Sequence, residues 1–256
     1  MKKEWKPAEM PQEEGIIEGR NAVHEALRAG RTIDKVFYLK GDDKMLTRLA
    51  MEAKKNGAVV VDCDRRKLDQ MSRTGAHQGI IAMAAAREYV SVSELIRNAQ
   101  ESGRMPMFVI CDEISDPHNL GAIIRSAEAA GANGVIFPKR RNAGLTAVVD
   151  KAAAGALEYM PVARVANLPA AIKELKDAGI WVFGTGLYDD SIDLYQADFK
   201  CPCAIVIGSE GEGMGRLVKE SCDFVVKIPM LGNIQSLNAS AAAAVVMFEA
   251  VRQRNA

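Results

Sequence analysis

The sequence predicts an α/β protein with a small N-terminal domain over residues 15–84 and a larger domain over residues 107–256 built on a mainly parallel sheet. Three observations carry this. From Met107 onward, short runs rich in Val, Ile and Phe alternate with stretches of helical length, the pattern of strands joined by crossover helices. Runs such as 107–111 and 204–207 are apolar at consecutive rather than alternate positions, as strands buried on both faces must be. Polar turns rich in glycine or proline follow three strands, at the carboxyl ends where parallel sheets bind ligands.

Taken in order, residues 1–14 are polar and contain Pro7 and Pro11, which predicts a loose tail. Apolar spacing predicts helices at 19–29, 43–56 (closed by Gly57) and 64–71, with strands at 35–39, 58–61 and 79–83. That is enough for a sheet of three or four strands. Arg65, Arg66 and Lys67 form the densest basic cluster of this part, either a solvated helix face or a contact for RNA phosphates. The segment Gly75-Ala-His-Gln-Gly79 makes His77 a turn residue or a substrate contact. Residues 85–106 lose the alternating pattern and read as an inter-domain linker. Within it, Ser91 and Glu94 resemble a capping box for a short helix ending at Gly103.

In the second domain, strands are predicted at 107–111, 134–137, 159–162, 180–184, 204–207 and 224–228. Helices are predicted at 119–130, 145–156, 168–178, 214–222 and 239–251, with Ser236 as the cap of the last.

With 256 residues, 48% of them hydrophobic, the chain can bury two cores. Its formal net charge is zero, so no overall field marks a nucleic-acid binder. The first 105 residues hold 19 basic against 16 acidic side chains and the remainder 14 against 17, which tilts any RNA contact toward the N-terminal part. Five cysteines (Cys63, Cys111, Cys201, Cys203, Cys222) are scattered and lack zinc-site spacing, so reduced thiols and no metal are expected. The charged start has no apolar leader core and no run reaches membrane-spanning length, which predicts a cytoplasmic protein with no membrane partner.

The three turns carry the functional argument. The first, 116–128, lets Asp116 or Asn119 cap a helix that Pro117 suits, with Arg125 one or two turns along. Glu128 is an i+3 partner for Arg125, a pair of little energetic weight, whereas arginine is also shaped to grip a phosphate with two nitrogens. The second turn, Gly208-Ser-Glu-Gly-Glu-Gly213, allows close backbone approach. Its spacing is not the dinucleotide fingerprint, and Glu210 and Glu212 would repel a pyrophosphate; a positively charged ligand such as the sulfonium of S-adenosylmethionine suits it better. In the third, Pro229 stops a strand, Gly232 and Asn233 turn the chain, and a helix starts, leaving backbone groups to face a ligand.

In this order the turns resemble the three motifs of the SpoU (TrmH) family of RNA ribose 2′-O-methyltransferases, in the SPOUT superfamily. The matching residues are Asn119, Gly121 and Arg125; then Gly208, Glu210, Gly211 and Gly213; then Ile228, Pro229, Met230, Ser236, Leu237 and Asn238. Residues 19–27, 35–39 and 77–79 resemble the family's N-terminal L30e-like substrate-binding domain. The most similar branch is the RlmB type, which methylates a guanosine ribose in 23S rRNA; Gln235 and Ala239 depart from it, where an acidic residue and a valine are common.

The resemblance implies a deep trefoil knot, with the third turn threaded through a loop, and a homodimer with the cofactor site near its interface. It implies transfer of the S-adenosylmethionine methyl group to a ribose 2′-hydroxyl, with Arg125, Asn119, Glu210, Ser236 and Asn238 at the catalytic positions. The cofactor would lie around Thr185, Gly186, Gly208, Glu210, Gly211, Ile228, Met230, Ser236 and Leu237. RNA would meet Arg65, Arg66, Lys67 and His77. The final helix suits packing against a partner and suits a core equally. The same motifs serve tRNA enzymes, and two further classes are weighed. A non-catalytic RNA-binding homologue is disfavoured by the presence of Arg125 and Asn238, and a nicotinamide-dependent oxidoreductase by the acidic second turn.

Overall fold

A computed structural model describes residues 15–256; the expected tail at 1–14 lies outside the described residues. The chain divides into two compact units at the Ala86–Arg87 junction.

The first unit contains β1 (Ile16–Glu18), α1 (Arg20–Arg28), β2 (Ile33–Leu39), α2 (Lys44–Lys55), β3 (Val59–Cys63), α3 (Arg65–Met71) and β4 (Ile80–Ala84). Its sheet runs β1-β4-β2-β3, with β2 and β3 parallel and the other pairs antiparallel. Period-two alternation divides the strand residues between two faces. Val36, Ile80 and Ala82 pack with Val23 and Leu27 of α1 and Leu46 and Leu49 of α2, while Phe37 and Ile81 pack on Leu68 of α3. The short β1 was not evident in the sequence. Its last residue, Glu18, accepts hydrogen bonds from Ser72 Oγ (2.6 Å), Thr74 Oγ1 (2.7 Å) and Arg73 N (2.8 Å), tying down the turn after α3. Burial alone would raise the Glu18 carboxyl; these donors outweigh it and hold it at about 2.

The second unit contains α4 (Val92–Glu101), β5 (Met107–Cys111), α5 (Pro117–Ala129), β6 (Gly134–Pro138), α6 (Ala147–Ala153), β7 (Val162–Val165) and α7 (Leu168–Asp177). It continues with β8 (Trp181–Thr185), β9 (Ile192–Asp193), β10 (Cys203–Ile207), α8 (Arg216–Ser221), β11 (Phe224–Lys227) and α9 (Ala239–Arg254). The seven strands run β7-β6-β5-β10-β8-β11-β9, and every pair is parallel. Successive residues of β5 enter different cores: Val109 and Cys111 meet the cluster that includes α5, α6 and α9, and Phe108 and Ile110 the cluster that includes α4, α7 and α8. Gly121 sets the spacing of α5 and α6, since a Cβ there would lie 2.5 Å from Ala152 Cβ.

Residues 85–106 are not a linker. Ser91 Oγ accepts from Glu94 N at 3.1 Å and opens α4, whose Val92, Leu95, Ile96 and Ala99 are buried in the second unit's core. Leu95 packs so closely on β6 that a Cβ on Gly134 would come within 2.7 Å of it. The strand expected at 159–162 begins only at Val162, because Pro161 has no N–H for the ladder and residues Ala156–Glu158 form a 3-10 turn. The cap of α9 is Asn238 rather than Ser236: Asn238 Oδ1 accepts from Ser240 N (3.0 Å) and Ala241 N (3.3 Å).

The last turn of α9 is latched by Arg254. Its guanidinium donates to the carbonyls of Phe199 (3.1 Å), Met105 (3.1 Å), Pro106 (3.0 Å) and Cys201 (2.7 Å), joining the chain end to the approaches of β5 and β10. Hydrogen bonds with one charged partner contribute about 1.5–3 kcal/mol. Arg254→Met, which keeps the stem and removes the donors, is expected to lower unfolding free energy by about that amount in urea titration. An unchanged midpoint would mean that water serves these carbonyls equally well.

Candidate active site

The site is built at the carboxyl ends of β8, β10 and β11. After β10 the chain reverses at Gly208, where a Cβ would lie 2.3 Å from the carbonyl carbon of Gly213. Ser209 and Gly213 exchange backbone hydrogen bonds (2.9 and 3.1 Å), and Gly211 (φ 93°) and Gly213 (φ 71°) take left-handed conformations that favour glycine. Thr185, at the end of β8, donates its hydroxyl to Val206 O at 2.8 Å, fixing the start of the loop that follows. After β11 the segment 229–238 contributes Met230, Gln235, Ser236, Leu237 and Asn238 to the lining of this space and delivers the chain to α9.

These loops enclose a cavity of about 560 Å³, within the range of small-ligand sites. Every residue expected to hold the cofactor lines it: Thr185, Gly186, Gly208, Glu210, Gly211, Ile228, Met230, Ser236 and Leu237. Leu187 and Tyr188, which no sequence motif singles out, also line it. Glu210 and Glu212 line the cavity, and among the described residues Lys227 is the one basic residue that does.

At one side the three turns meet in a single hydrogen-bonded junction. Glu210 Oε1 accepts from Asn119 Nδ2 (3.1 Å), Asn238 Nδ2 (2.7 Å) and Ala239 N (3.2 Å). Asn238 Nδ2 also donates to Asn119 Oδ1 at 2.9 Å. Asn119 thus uses both ends of its amide, while Asn238 divides its two N–H groups between two acceptors and caps α9 with its oxygen. Glu210 Oε2 has no hydrogen-bond partner among the described residues.

The other expected site residues lie elsewhere. Arg125 is exposed on α5, does not line the cavity, and makes no hydrogen bond or ion pair with a described residue; the Glu128 pairing does not form. Arg65, Arg66 and Lys67 are exposed on α3 of the first unit, with Lys67 Nζ 5.3 Å from the centroid of the Phe37 ring. His77 is buried and occupied: Nδ1 accepts from Gly79 N at 3.0 Å and Nε2 donates to Asp69 Oδ1 at 2.9 Å. It is therefore a turn residue and offers no ring nitrogen to RNA. Among the described residues no group of three His, Cys, Asp or Glu could hold a metal, and no helix is long and apolar enough to cross a membrane. Burial pushes the thiols of Cys111, Cys203 and Cys222 up to about 12, so these cysteines stay protonated packing residues.

A parallel sheet whose strand ends carry a folded glycine loop and a carboxylate-lined cavity defines a binder of a small, positively charged cofactor. Comparison with known proteins specifies the class. The SpoU rRNA Methylase family matches residues 106–248, and the family of RNA 2′-O ribose methyltransferase substrate-binding domains matches residues 16–90. A Bacillus subtilis protein assigned to the TrmH family of tRNA/rRNA methyltransferases, YacO, is 48% identical over 247 residues, covering 96% of this chain and 98% of its own. Among solved structures, an AdoMet-bound rRNA methyltransferase from Sinorhizobium meliloti is 26% identical with a TM-score of 0.60, covering 93% of this chain and 87% of its own. The SpoU methyltransferase AviRb from Streptomyces viridochromogenes, in complex with AdoMet, is 26% identical with a TM-score of 0.58, covering 94% and 90%. This chain belongs to the SpoU methylase family, whose methyl donor is S-adenosylmethionine.

Gly208 gives the sharpest test of the cavity. Gly208→Ala drives a methyl group into backbone and is expected to abolish S-adenosylmethionine binding in calorimetry while far-ultraviolet circular dichroism stays native. Gly232→Ala, where a Cβ meets nothing within 4 Å, is the matched control and should bind as the unmodified protein does.

Proposed function

We propose that this chain is an S-adenosylmethionine-dependent RNA ribose 2′-O-methyltransferase that acts in the cytoplasm, as a homodimer, on a guanosine of 23S rRNA. The observation that carries the proposal is the junction of Asn119, Glu210 and Asn238 beside a cavity lined by two carboxylates. The cavity fits the cofactor in size, in the close backbone approach its glycines permit, and in charge, since Glu210 and Glu212 favour a sulfonium. When bound, that cofactor supplies an electrophilic methyl group to a ribose 2′-oxygen.

The chain's own residues then have separate tasks. Glu210 fixes Asn119 and the start of α9, so that the rim of the cavity does not shift as RNA docks. Ser236 and Asn238 orient groups at that rim by hydrogen bonding rather than acting as nucleophiles. A guanidinium keeps its proton, so Arg125 grips a substrate phosphate and lowers the cost of ionising the neighbouring 2′-hydroxyl. Its freedom from hydrogen-bond and ion-pair partners among the described residues suits that task. Arg65, Arg66 and Lys67 supply phosphate contacts from the first unit, which matches the substrate-binding family.

Two apolar surfaces support self-association. Leu231 and Ile234 are exposed in the third turn, and Val245 and Phe248 on the outer face of α9, a helix apolar on both faces. The knot belongs to the same proposal, supported by a strand order that inserts β10 between β5 and β8 and places β11 beyond β8. A second substrate, tRNA, is favoured by one observation: the Bacillus subtilis relative is assigned to a family of tRNA/rRNA methyltransferases.

The test is incubation with methyl-labelled S-adenosylmethionine and unmodified 23S rRNA, followed by alkaline hydrolysis. A 2′-O-methyl group blocks cleavage at its own phosphate, so label is expected in an alkali-resistant dinucleotide beginning with guanosine. Label in mononucleotides would mean base methylation and would remove the role given to Arg125; label on tRNA alone would move the substrate. In the same assay Arg125→Lys is expected to retain measurable activity that Arg125→Ala lacks, because the charge survives though the fork is lost.

A further inference from the structure

The loop after β8 carries a residue that no motif accounts for. Tyr188 lines the cavity, and its Oη accepts from Met214 N at 3.2 Å, the first amide beyond the glycine loop. The next amide, Gly215 N, donates to Asp112 Oδ2 at 2.8 Å, so two consecutive N–H groups are held by side chains from the ends of two different strands. Two glycines clear the space for this ring. A Cβ on Gly186 would lie 2.4 Å from Tyr188 Cε2, and one on Gly213 would lie 2.9 Å from Tyr188 Oη.

The ring is fixed from behind as well. Tyr188 N donates to Ser191 Oγ (3.0 Å), which itself donates to Gly186 O (2.9 Å), closing the loop on itself. Lys219 Nζ lies 4.2 Å from the ring centroid and is held there by Asp190 at 2.9 Å. With Oη accepting from Met214 N, the hydroxyl's own proton remains, and it has no acceptor among the described residues. A half-buried tyrosine facing a ligand cavity with an unspent donor is a recognition group.

We propose that Tyr188 is a cofactor-binding residue: its Oη holds the glycine loop through Met214 N and gives its proton to a hydrogen-bond acceptor of the methyl donor distant from the sulfonium. The recognised group is not the sulfonium: the free O–H proton presents its positive end, Oη already accepts from Met214 N, and the Lys219 ammonium occupies a ring face and repels a second cation. This rests on the proposal that the cavity holds S-adenosylmethionine.

The experiment is calorimetric titration of Tyr188→Phe with S-adenosylmethionine and with S-adenosylhomocysteine, which keeps every acceptor and lacks the positive charge. Both are expected to bind about tenfold more weakly than to the unmodified protein. Because Met214 N loses its acceptor, a lower melting temperature is expected as well; KM for RNA should not rise, and the kinetic loss should appear in KM for S-adenosylmethionine. Affinity equal to that of the unmodified protein, weakening for the sulfonium ligand alone, or a rise in KM for RNA with cofactor binding intact would each overturn the assignment. If the unmodified protein bound neither ligand, the cavity assignment itself would fall, and Tyr188 with it.

Discussion

One carboxylate oxygen holds the site together. Glu210 Oε1 collects hydrogen bonds from a side chain on α5, a side chain at the cap of α9 and the first amide of α9 itself. Without it, the start of α5 and the third turn would keep only the Asn238–Asn119 hydrogen bond, and the glycine loop would lose its link to both. Charge-assisted bonds of this kind are roughly twice as strong as neutral ones, and three on one oxygen leave the loop little freedom. The parallel sheet makes the meeting possible because all its strand ends point the same way, so segments distant in sequence emerge side by side.

The rest of the second unit supports that arrangement. Gly121 lets α5 lie against α6, the buried rows of β5 and β10 hold α5 and α9 on one face of the sheet, and Arg254 fastens the far end of α9. Chemistry is thereby confined to the loops at one edge, while the helices give them a rigid base. The first unit is built on a different logic, a small mixed sheet whose turn after α3 is tied down by Glu18 and His77. Its basic residues Arg65, Arg66 and Lys67 are exposed on α3, directly before that tied turn.

Much of this was legible in the sequence, because the signals were local. Residues 107–111 read as a buried strand from five consecutive apolar positions, and the residues given to the cofactor followed from the resemblance of the turns to family motifs, Thr185 and Gly186 lying outside those turns. Where the sequence misled, tertiary partners decided. Ser236 and Asn238 both suit a helix cap, but only an amide can cap α9 with its oxygen while donating to Asn119 and Glu210, so Asn238 takes the position. The capping box at Ser91 and Glu94 announces helix α4, but the loss of strand alternation over 85–106 puts it in a linker; the helical spacing of Val92, Leu95, Ile96 and Ala99 is the sign of its buried face. Tyr188 gave no local signal at all: its place depends on Gly186 and on Gly213, 25 residues further along.

The central claim is that Asn119 and Asn238, 119 residues apart, act as one unit through Glu210. The most direct measurement is a double-mutant cycle on kcat/KM for methyl transfer, using Asn119→Ala, Asn238→Ala and the double variant. Loss of alignment at a reacting centre costs on the order of 10²-fold. If the junction is one unit, each single variant should lose about that much and the double variant little more. Losses that simply multiply would show two independent contacts and contradict the account.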